Sequence, residues 1–405
     1  MSRRKVRGVK DQYEVYPYPH RDSADEATRL VRTLGGNLDG ISHFLFGGRR
    51  DFAKPFRVLV AGGGTGDALI YLAQQLADRG CPSRVTYLDL SEASRAIAAK
   101  RTAIRRLDID FHTGSLLDVA GMGLGEFDYI DCSGVLHHLP DPDAGLAALA
   151  GVLAPDGGMG IMLYGTSGRA GIYPMQEMLR LVAPPSLPAG ERLAVAKRLL
   201  AALPATNLLR RNPGLATATD DAEIFDLLLH SRDRAYSVAE IGALVAGAGL
   251  SLRAFVPPAC YDPASYCADA EVLRRLDTAS PLGRAAFAEG LVSILPKHIF
   301  YVAGAGNTHT PPAPSDAAIP VWHDGFAFPA DKLGQTFQFG KNRGPVAAQV
   351  TVTPEVAAVA RLIDGATPLG EIRRRCGLTP AGFQAGFKPL WSLHGLFYLF
   401  LAASP

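Results

Sequence analysis

The chain has 405 residues, more than one hydrophobic core usually supports, so two or three domains are expected. Lys and Arg (41) nearly balance Asp and Glu (39), and the resulting net charge of +2 gives no electrostatic argument for a nucleic-acid partner. No run of about 18 apolar residues occurs, and the basic start at residues 2–7 lacks the apolar stretch of a secretory signal. We therefore expect a cytoplasmic globular protein with no membrane partner.

The five cysteines are odd in number and include no CxxC pair, so the sequence predicts neither a disulfide framework nor a zinc site. We expect reduced thiols and no metal cofactor. The cysteines are Cys81, Cys132, Cys260, Cys267 and Cys376.

Strand and helix patterns alternate between residues 56 and 165. Repeated units of this length are typical of an α/β fold with a mostly parallel, doubly wound sheet. Strands are predicted at 57–61, 84–89, 109–112, 127–132 and 158–164, and helices at 67–79, 91–105 and 144–153.

The pattern after residue 165 is rich in helices and predicts an inserted cap, with helices at 173–182, 188–203 and 220–230. Sheet patterns then return. A helix is predicted at 238–248, and strands at 250–256 and 297–303 are expected to complete the sheet.

Residues 308–315 are rich in proline and threonine, a composition typical of a linker. Beyond it, three helices at 354–363, 369–375 and 380–395 and a strand at 396–400 suggest a small winged-helix-like module. The predicted domains are an N-terminal arm and lid (1–55), a cofactor-binding core (56–165), a helical cap (166–235), the completion of the sheet (236–304), a linker (305–345) and the C-terminal module (346–405).

A glycine-rich segment runs from Ala61 to Asp67, between the first predicted strand and the first helix of the sheet, where missing side chains let a ligand approach the backbone. A dinucleotide fingerprint would place Gly or Ala where Asp67 stands, because pyrophosphate docks at this helix start. A carboxylate repels a diphosphate. It tolerates the ammonium group of S-adenosylmethionine, which has no phosphate, so the charge of Asp67 favours the methyl donor.

Asp89 ends the next predicted strand. Its separation from the glycines is about the 20 residues at which a carboxylate accepts hydrogen bonds from ribose hydroxyls. The alternative is an exposed strand-end acid or a helix cap. The preceding glycine segment makes the ribose contact the favoured interpretation.

Five segments carry a family resemblance, at residues 16–19 (YPYP), 61–66 (AGGGTG), 127–130 (FDYI), 134–139 (GVLHHL) and 153–158 (LAPDGG). Over roughly residues 13–170 the chain resembles class I S-adenosylmethionine-dependent methyltransferases, which have a Rossmann-like sheet. The specific match is a bacterial group with a YPYP-like arm and an AGxGTG loop. The layout is also similar to bacterial protein-lysine methyltransferases that carry a regulatory segment.

The resemblance implies S-adenosylmethionine as cofactor and S-adenosylhomocysteine as product. It implies that the glycines pass beneath the methionine moiety, that Asp89 holds the ribose, and that an adenine pocket lies near residues 114–116. The implied cofactor-binding residues are Gly62, Gly63, Gly64, Gly66, Asp67, Asp89, Leu90, Ser115, Leu116, Ser133, Tyr16 and Tyr18.

Two positions depart from the family pattern. Val60 stands where many relatives outside this group have an acid that contacts the methionine ammonium through water, and Asp67 is a candidate to compensate. Ser115 stands where the pattern usually has an Asp that accepts from the adenine amine, so a neutral hydroxyl is expected to bind the base more weakly.

Methyl transfer needs a base only when the nucleophile is protonated, because the sulfonium already activates its methyl group. The candidate bases are His137 and His138, beyond the fourth predicted strand at the ligand-binding edge. In the favoured alternative, one histidine caps the following helix and the other packs against the sheet. Cys132 is expected to be a buried small hydrophobe.

The candidate acceptor-binding residues lie in and around the cap. Arg169, Tyr173 and Gln176 share helix-compatible spacings and form one polar face, which either looks into the cleft or is solvated surface. Arg232 lies in a charged stretch that either contacts the acceptor or is a salt-bridged loop. The YPYP arm is expected either to close over the cofactor as a lid or to pack against the sheet edge.

These observations predict a methyltransferase that acts on an unidentified small molecule or protein side chain. One alternative is a non-catalytic S-adenosylmethionine-binding regulator that works through its C-terminal module, and another is a nicotinamide oxidoreductase. The basic run at residues 373–375 is weak evidence for DNA, and docking, homodimerisation or acceptor recruitment is favoured for this module.

Overall fold

The computed structural model describes residues 8–211 and 220–403, so the basic start at residues 2–7 lies outside the described residues. Its centre is a seven-stranded sheet. The strands are β1 (Phe56–Ala61), β2 (Ser83–Asp89), β3 (Asp110–Thr113), β4 (Phe127–Ser133), β5 (Leu153–Tyr164), β6 (Ser251–Val256) and β7 (Lys297–Ala303).

The strands lie in the order β3-β2-β1-β4-β5-β7-β6. β1 to β5 run parallel to one another, whereas β7 is antiparallel to both of its neighbours, β5 and β6. The predicted mostly parallel, doubly wound sheet is therefore confirmed, and the two late strands complete it as expected.

Both faces of the sheet are covered by hydrophobic cores. Leu59 and Ile130 belong to the core on one face, and Val58, Val60 and Tyr129 belong to the core on the other. A strand buried on both faces is apolar at nearly every position, which explains why these strands stand out in the sequence. The helices before the cap are α1 (Val9–Val15), α2 (Leu38–Leu45), α3 (Asp67–Asp78), α4 (Glu92–Ile104) and α5 (Pro142–Ala150).

The cap contains α6 (Ile172–Val182), α7 (Ala189–Ala202), α8 (Leu208–Arg211) and α9 (Asp221–Leu228). These helices share a core of their own, against which Tyr16 from the N-terminal arm packs. The three predicted cap helices are confirmed within a few residues at each end, and the short α8 is additional.

Three helices lie between the cap and β7, namely α10 (Val238–Gly247), α11 (Ala270–Arg275) and α12 (Pro281–Val292). α10 begins at a capping box formed by Ser237 and Glu240, and the sequence predicts it. α11 and α12 were not predicted. α11 buries no residue and α12 buries only three, so neither has a clear apolar stripe.

The C-terminal unit, residues 319–403, contains two antiparallel strand pairs and three helices. β8 (Ile319–Trp322) pairs with β11 (Leu399–Ala402), and β9 (Thr336–Phe339) pairs with β10 (Ala348–Thr351). The helices are α13 (Pro354–Ala360), α14 (Leu369–Arg375) and α15 (Pro380–Gly395).

The winged-helix-like arrangement is not confirmed, because the β9–β10 pair precedes the helices and β11 returns to β8. The range 305–345, expected to be a linker, contains β8 and β9. Each of these strands has four residues, too few for an alternating pattern to be recognised.

The C-terminal unit is packed against the core through α2. The ring of Phe397 is stacked on Phe44 with centroids 5.9 Å apart, and it lies so close to Gly40 that a Cβ there would meet it at 2.5 Å. The apolar side chains of the stretch 396–401 thus belong largely to the core of the protein. Among the described residues, no helix has both the length and the apolar character needed to cross a bilayer.

Candidate cofactor and acceptor site

The glycine segment forms a tight turn between β1 and α3, at the carboxyl edge of the sheet. Gly62, Gly64 and Gly66 all have positive φ, a region that other residues rarely adopt. At Gly62 a Cβ would lie 2.3 Å from the Val135 side chain, and at Gly63 it would lie 2.4 Å from the Tyr87 ring. Glycine is therefore required here both by backbone conformation and by space.

Asp89 holds this turn in place from the end of β2. One carboxylate oxygen accepts from the backbone N–H of Gly64 at 2.8 Å, and the other accepts from the N–H of Ser91 at 2.8 Å. Each oxygen keeps a second lone pair. Because burial raises the pKa of Asp89, a donor that reaches these lone pairs would be favoured.

The predicted adenine side lies after β3. Gly114 donates its backbone N–H to the carbonyl of Asp89 at 2.9 Å. Ser115 begins a 3-10 helix (Leu116–Met122), and its hydroxyl accepts from the N–H of Leu117 at 3.2 Å. Leu90, Ser115 and Leu116 all line the same cavity as the glycine turn.

The N-terminal arm lies directly on the glycine turn. The carbonyl of Tyr18 would be 2.9 Å from a Cβ at Gly64, and the hydroxyl of Thr65 donates to the carbonyl of Pro19 at 2.7 Å. Tyr18 lines the cavity. Tyr16 does not, because its ring is stacked on Phe225 of α9 at 4.7 Å.

Asp67 lines the cavity, but two arginines already balance its charge. Arg21 of the arm donates to both carboxylate oxygens, and the buried Arg101 of α4 donates to one of them at 2.9 Å. Although burial opposes the effect, these guanidinium groups lower the pKa of Asp67. This pairing does not favour the predicted role of Asp67 in compensating for Val60.

Asp131 was missed by the sequence analysis. It lies beside Val60 in the register of β4 against β1, so the two side chains point to the same face of the sheet. Its side chain is buried, it lines the cavity, and its Oδ2 has no hydrogen-bond partner among the described residues. Burial raises the pKa of Asp131 to about 7, against an opposing hydrogen bond with Ser133. An acid in the middle of β4, between the apolar Ile130 and Cys132, was the available signal.

The two candidate bases have different surroundings. His137 does not line the cavity; its ring is stacked on Tyr164 at 3.9 Å, and neither nitrogen has a hydrogen-bond partner in the described part of the chain. His138 lines the cavity and donates from Nδ1 to the carbonyl of Arg232 at 2.8 Å, which leaves Nε2 as the acceptor. Burial lowers the pKa of both rings. The following helix, α5, is capped by Asp141 and not by a histidine.

A polar network that the sequence did not reveal lies beside His138. The buried Asp226 accepts from the hydroxyls of Tyr13 and Tyr164, each at 3.0 Å, and Tyr13 also contacts Nε2 of His230 at 3.2 Å. Tyr13, Tyr164 and Asp226 line the cavity. Burial raises the pKa of Asp226.

His138, Asp226 and His230 are close enough for one ligand atom of each to lie within 4.8 Å of the others, the spacing of a metal site. The hydrogen bonds do not fit that use. Nδ1 of His230 accepts from the backbone N–H of Arg232 at 3.0 Å, so in the neutral ring the proton is on Nε2, the nitrogen that faces this cluster. A protonated nitrogen has no lone pair for a metal.

The predicted acceptor residues of the cap gather around one carboxylate, Asp233. Arg169 donates to it at 2.7 Å, Gln176 at 3.1 Å, and the Tyr173 hydroxyl lies 3.5 Å away. Of these three, only Arg169 lines the cavity. The exposed Arg232 lines it as well. This polar face is therefore not solvated surface, and only part of it opens into the cleft. Its side chains instead meet at the carboxylate of Asp233.

One cavity of about 1640 Å³ connects these groups. It runs along the carboxyl edge of the sheet from the glycine turn past Ser133 and Tyr164 to Lys297, and its lining also includes residues 341–345 of the C-terminal unit. A ligand in such a crevice meets residues from every part of the fold. Most residues that the sequence indicated lie at the glycine-turn end of the cavity, and Arg169 and Arg232 lie beyond it.

Residues 59–159 match the family model described as a methyltransferase domain. These residues contain the glycine turn, Asp89 and Asp131. The matched span ends within β5, before the cap begins.

Among known proteins, an uncharacterized protein of Synechococcus sp., syc1184_c, is 35% identical over 281 residues, which are 66% of this chain and 64% of that protein. A protein of Aromatoleum aromaticum named ubiquinone biosynthesis O-methyltransferase is 35% identical over 101 residues, covering 25% of this chain and 41% of its own length. The chain therefore spans less than two thirds of these relatives.

Among solved structures, that of PKMT2 from Rickettsia typhi superposes with a TM-score of 0.66 over 95% of this chain and 76% of that one, at 15% identity. This identity supports a shared fold only. The same protein has been solved in complex with AdoHcy, with a TM-score of 0.64. The sheet order, the matched family model and this shared fold agree, and the chain contains a class I, S-adenosylmethionine-dependent methyltransferase domain.

Proposed function

We propose that this protein transfers a methyl group from S-adenosylmethionine to an acceptor, a small molecule or a protein side chain, bound in the same cavity. The observation that carries the proposal is the pairing of the glycine turn with Asp89. The turn lines the cavity with bare backbone, and each carboxylate oxygen of Asp89, which lines the same cavity, keeps a second lone pair for a ligand. Leu90, Ser115 and Leu116 are proposed to flank the adenine.

Asp131 is the group we assign to the methionine end of the donor. It lies beside Val60, where the resemblance to methyltransferases outside this group leads us to expect an acid, so the neighbouring strand would supply the missing charge. Its unpartnered oxygen would hold the ammonium group directly or through water. Binding a cation there would relieve the cost of a buried carboxylate, which a neutral or diphosphate ligand would not do.

The donor supplies an activated methyl group, so the protein has to orient the acceptor, exclude water and take up a proton if the nucleophile carries one. The arm at Tyr18 and Pro19 covers the glycine turn and would keep water out. His138 is neutral at ordinary pH and presents Nε2 as an acceptor, which makes it the proposed base. His137 is proposed to support the Tyr164 ring and not to act on the acceptor.

The continuation of the cavity beyond the donor site favours an enzyme over a sensor, since a protein that only binds the donor needs no further polar pocket. The relatives named for ubiquinone biosynthesis match about a quarter of the chain, so their names do not decide the acceptor. The solved structure of PKMT2 is similar in fold and leaves the choice between small molecule and protein open.

The test uses tritium-labelled S-adenosylmethionine and fractionated extract of the source cells. Transfer of label to an acceptor, lost in an Asp89→Asn variant, would support the enzyme. Donor binding by calorimetry without transfer in any fraction would favour the regulator. Quenching of NADH fluorescence by the protein, with no binding of S-adenosylmethionine, would favour the oxidoreductase instead.

A further inference from the structure

Lys297 is the first residue of β7 and lies opposite Tyr164 at the carboxyl edge of β5. Its side chain is open to water and lines the cavity. It forms no ion pair within the described ranges 8–211 and 220–403. The walls of the cavity nevertheless partly desolvate the ammonium group and so lower the pKa of Lys297, and no described carboxylate raises it again. The Lys297 ammonium group, which has no counter-charge among the described residues, therefore faces the far half of the cavity, the half away from the glycine turn.

Two further donors lie on the loop that follows β5, within residues 165–169. Ser167 Oγ and Arg169 Nε are buried and have no acceptor among the residues that the structure describes. Both residues line the cavity. Arg169 is fixed in place, because its guanidinium group lies 3.7 Å over the Tyr164 ring and donates to Asp233.

The backbone holds this loop against the start of β7. Gly165 donates its N–H to the carbonyl of Pro296 at 2.9 Å, and Gly168 donates to the carbonyl of Leu295 at 3.1 Å. Neither glycine tolerates a side chain, since a Cβ at Gly168 would lie 2.2 Å from the Leu295 backbone. The three donor residues therefore belong to one rigid wall of the cavity.

The nearby carboxylates are already occupied. Asp226 accepts from two tyrosine hydroxyls, and Asp233 accepts from Arg169 and Gln176. Glu223, which also lines the cavity, has a partner of its own. No carboxylate among the described residues therefore balances the Lys297 ammonium group.

We propose that the wall formed by Ser167, Arg169 and Lys297 binds an anionic group, a carboxylate or a phosphate, on the methyl acceptor. This inference rests on the proposed function, because it names the chemical class of the acceptor. A partly desolvated cation without a counter-charge costs free energy, and so does a buried donor without an acceptor. A bound anion would remove both costs. A carboxylate or phosphate can accept from a guanidinium nitrogen, a hydroxyl and an ammonium group together.

The experiment measures the pKa of Lys297 directly, without a known acceptor. The lysines of the full chain are converted to ¹³C-dimethyl-lysine by reductive methylation, and the Lys297 resonance is assigned from its loss in Lys297→Arg. The resonance is titrated with pH in S-adenosylhomocysteine alone, and then with benzoate, phenyl phosphate or neutral benzamide added. We expect an anion to raise the pKa of Lys297 by about half a unit or more, since a bound opposite charge favours the protonated amine.

A rise with benzoate alone would identify a carboxylate acceptor, and a rise with phenyl phosphate alone would identify a phosphate acceptor. The proposal is overturned if no anion shifts the resonance, or if benzamide shifts it equally. The exposed Lys388 of α15 lies outside the cavity and serves as the internal control, with no expected change.

A calorimetric titration of S-adenosylhomocysteine separates this result from the proposed function. Failure of the donor product to bind would reject the methyltransferase, whereas binding without any anion response would reject only the anionic subsite. Once an acceptor is known, Lys297→Met is expected to raise its KM about tenfold or more with kcat little changed, the pattern of lost ground-state and transition-state binding together. Lys388→Met should leave both constants unchanged.

Discussion

Val60 and Asp131 stand side by side on neighbouring parallel strands and point to the same face of the sheet. Val60 is the apolar residue of this pair, and Asp131 is buried without a partner for Oδ2 among the described residues. The charge at the methionine end of the proposed donor site can therefore come from β4 and not from β1.

Replacing Asp131 by Asn is expected to weaken S-adenosylmethionine binding about tenfold or more, because a buried charge-assisted contact is lost. Calorimetry measures the dissociation constant. In the wild type, affinity should rise as pH increases through the pKa of about 7, since only the ionised carboxylate pairs with the ammonium group. An Asn variant with unchanged affinity and the same pH profile would contradict the assignment.

The same substitution should stabilise the free protein at alkaline pH. The folded-state pKa of Asp131 is raised above the ordinary value of 3.8, so ionisation destabilises the folded state progressively as pH rises from about 4 through 7. We expect Asp131→Asn to increase the free energy of unfolding by about 1–3 kcal/mol at pH 8 and to have little effect at pH 4. Denaturant titrations at the two pH values test this difference.

Asp89→Ala is expected to reduce donor affinity by about tenfold to a hundredfold, because the ribose contact and the anchor of the Gly64 turn are lost together. The Gly64 contribution is a hydrogen bond of 2.8 Å. Asp78→Ala, at the exposed end of α3, is the matched control and should bind normally. Equal affinities for the two variants would remove Asp89 from the site.

His138→Gln is expected to lower kcat by about tenfold to a hundredfold if the acceptor loses a proton during transfer. His137→Phe should have a small effect, because the His137 ring packs on Tyr164 and His138 and forms no hydrogen bond with the described residues. Since burial lowers the pKa of His138, the wild-type rate should stay level as pH falls below 6.5, the ordinary pKa of histidine, before it declines. A decline centred at 6.5 or above would point to another base.

Prolonged treatment with a strong chelator should leave methyl transfer unchanged. The reason is the proton on Nε2 of His230, which the hydrogen bond at Nδ1 imposes on the neutral ring. Loss of activity that Zn²⁺ or Mg²⁺ restores would show that His138, Asp226 and His230 hold a metal after all.

The sequence predicted the sheet, and it indicated most residues of the proposed donor half, because both depend on local patterns. Strands buried on two faces are apolar throughout, and Gly62 to Asp89 lie within a single strand–helix–strand unit. The positions of short elements such as β8 and β9 depend on partners far along the chain, which a local pattern does not contain.

For the same reason the sequence did not indicate most of the proposed acceptor half, Arg169 and Arg232 being the exceptions. Asp226 meets Tyr13 across 213 residues of chain, and Lys297 meets the loop after β5 because β7 is inserted antiparallel beside it. The sequence also showed the charge of Asp67 without its partners. Arg21 and Arg101, which neutralise it, come from the arm and from α4.

The two halves of the cavity are encoded by separate stretches of the chain. The proposed donor site is confined to a compact block before residue 165, whereas residues of the cap, of β7 and of the stretch 341–345 line the rest of the cavity. If the proposed division holds, mutations in these later stretches should change the acceptor without harming use of the donor. A library of variants at residues 341–345 is thus a practical route to altered selectivity.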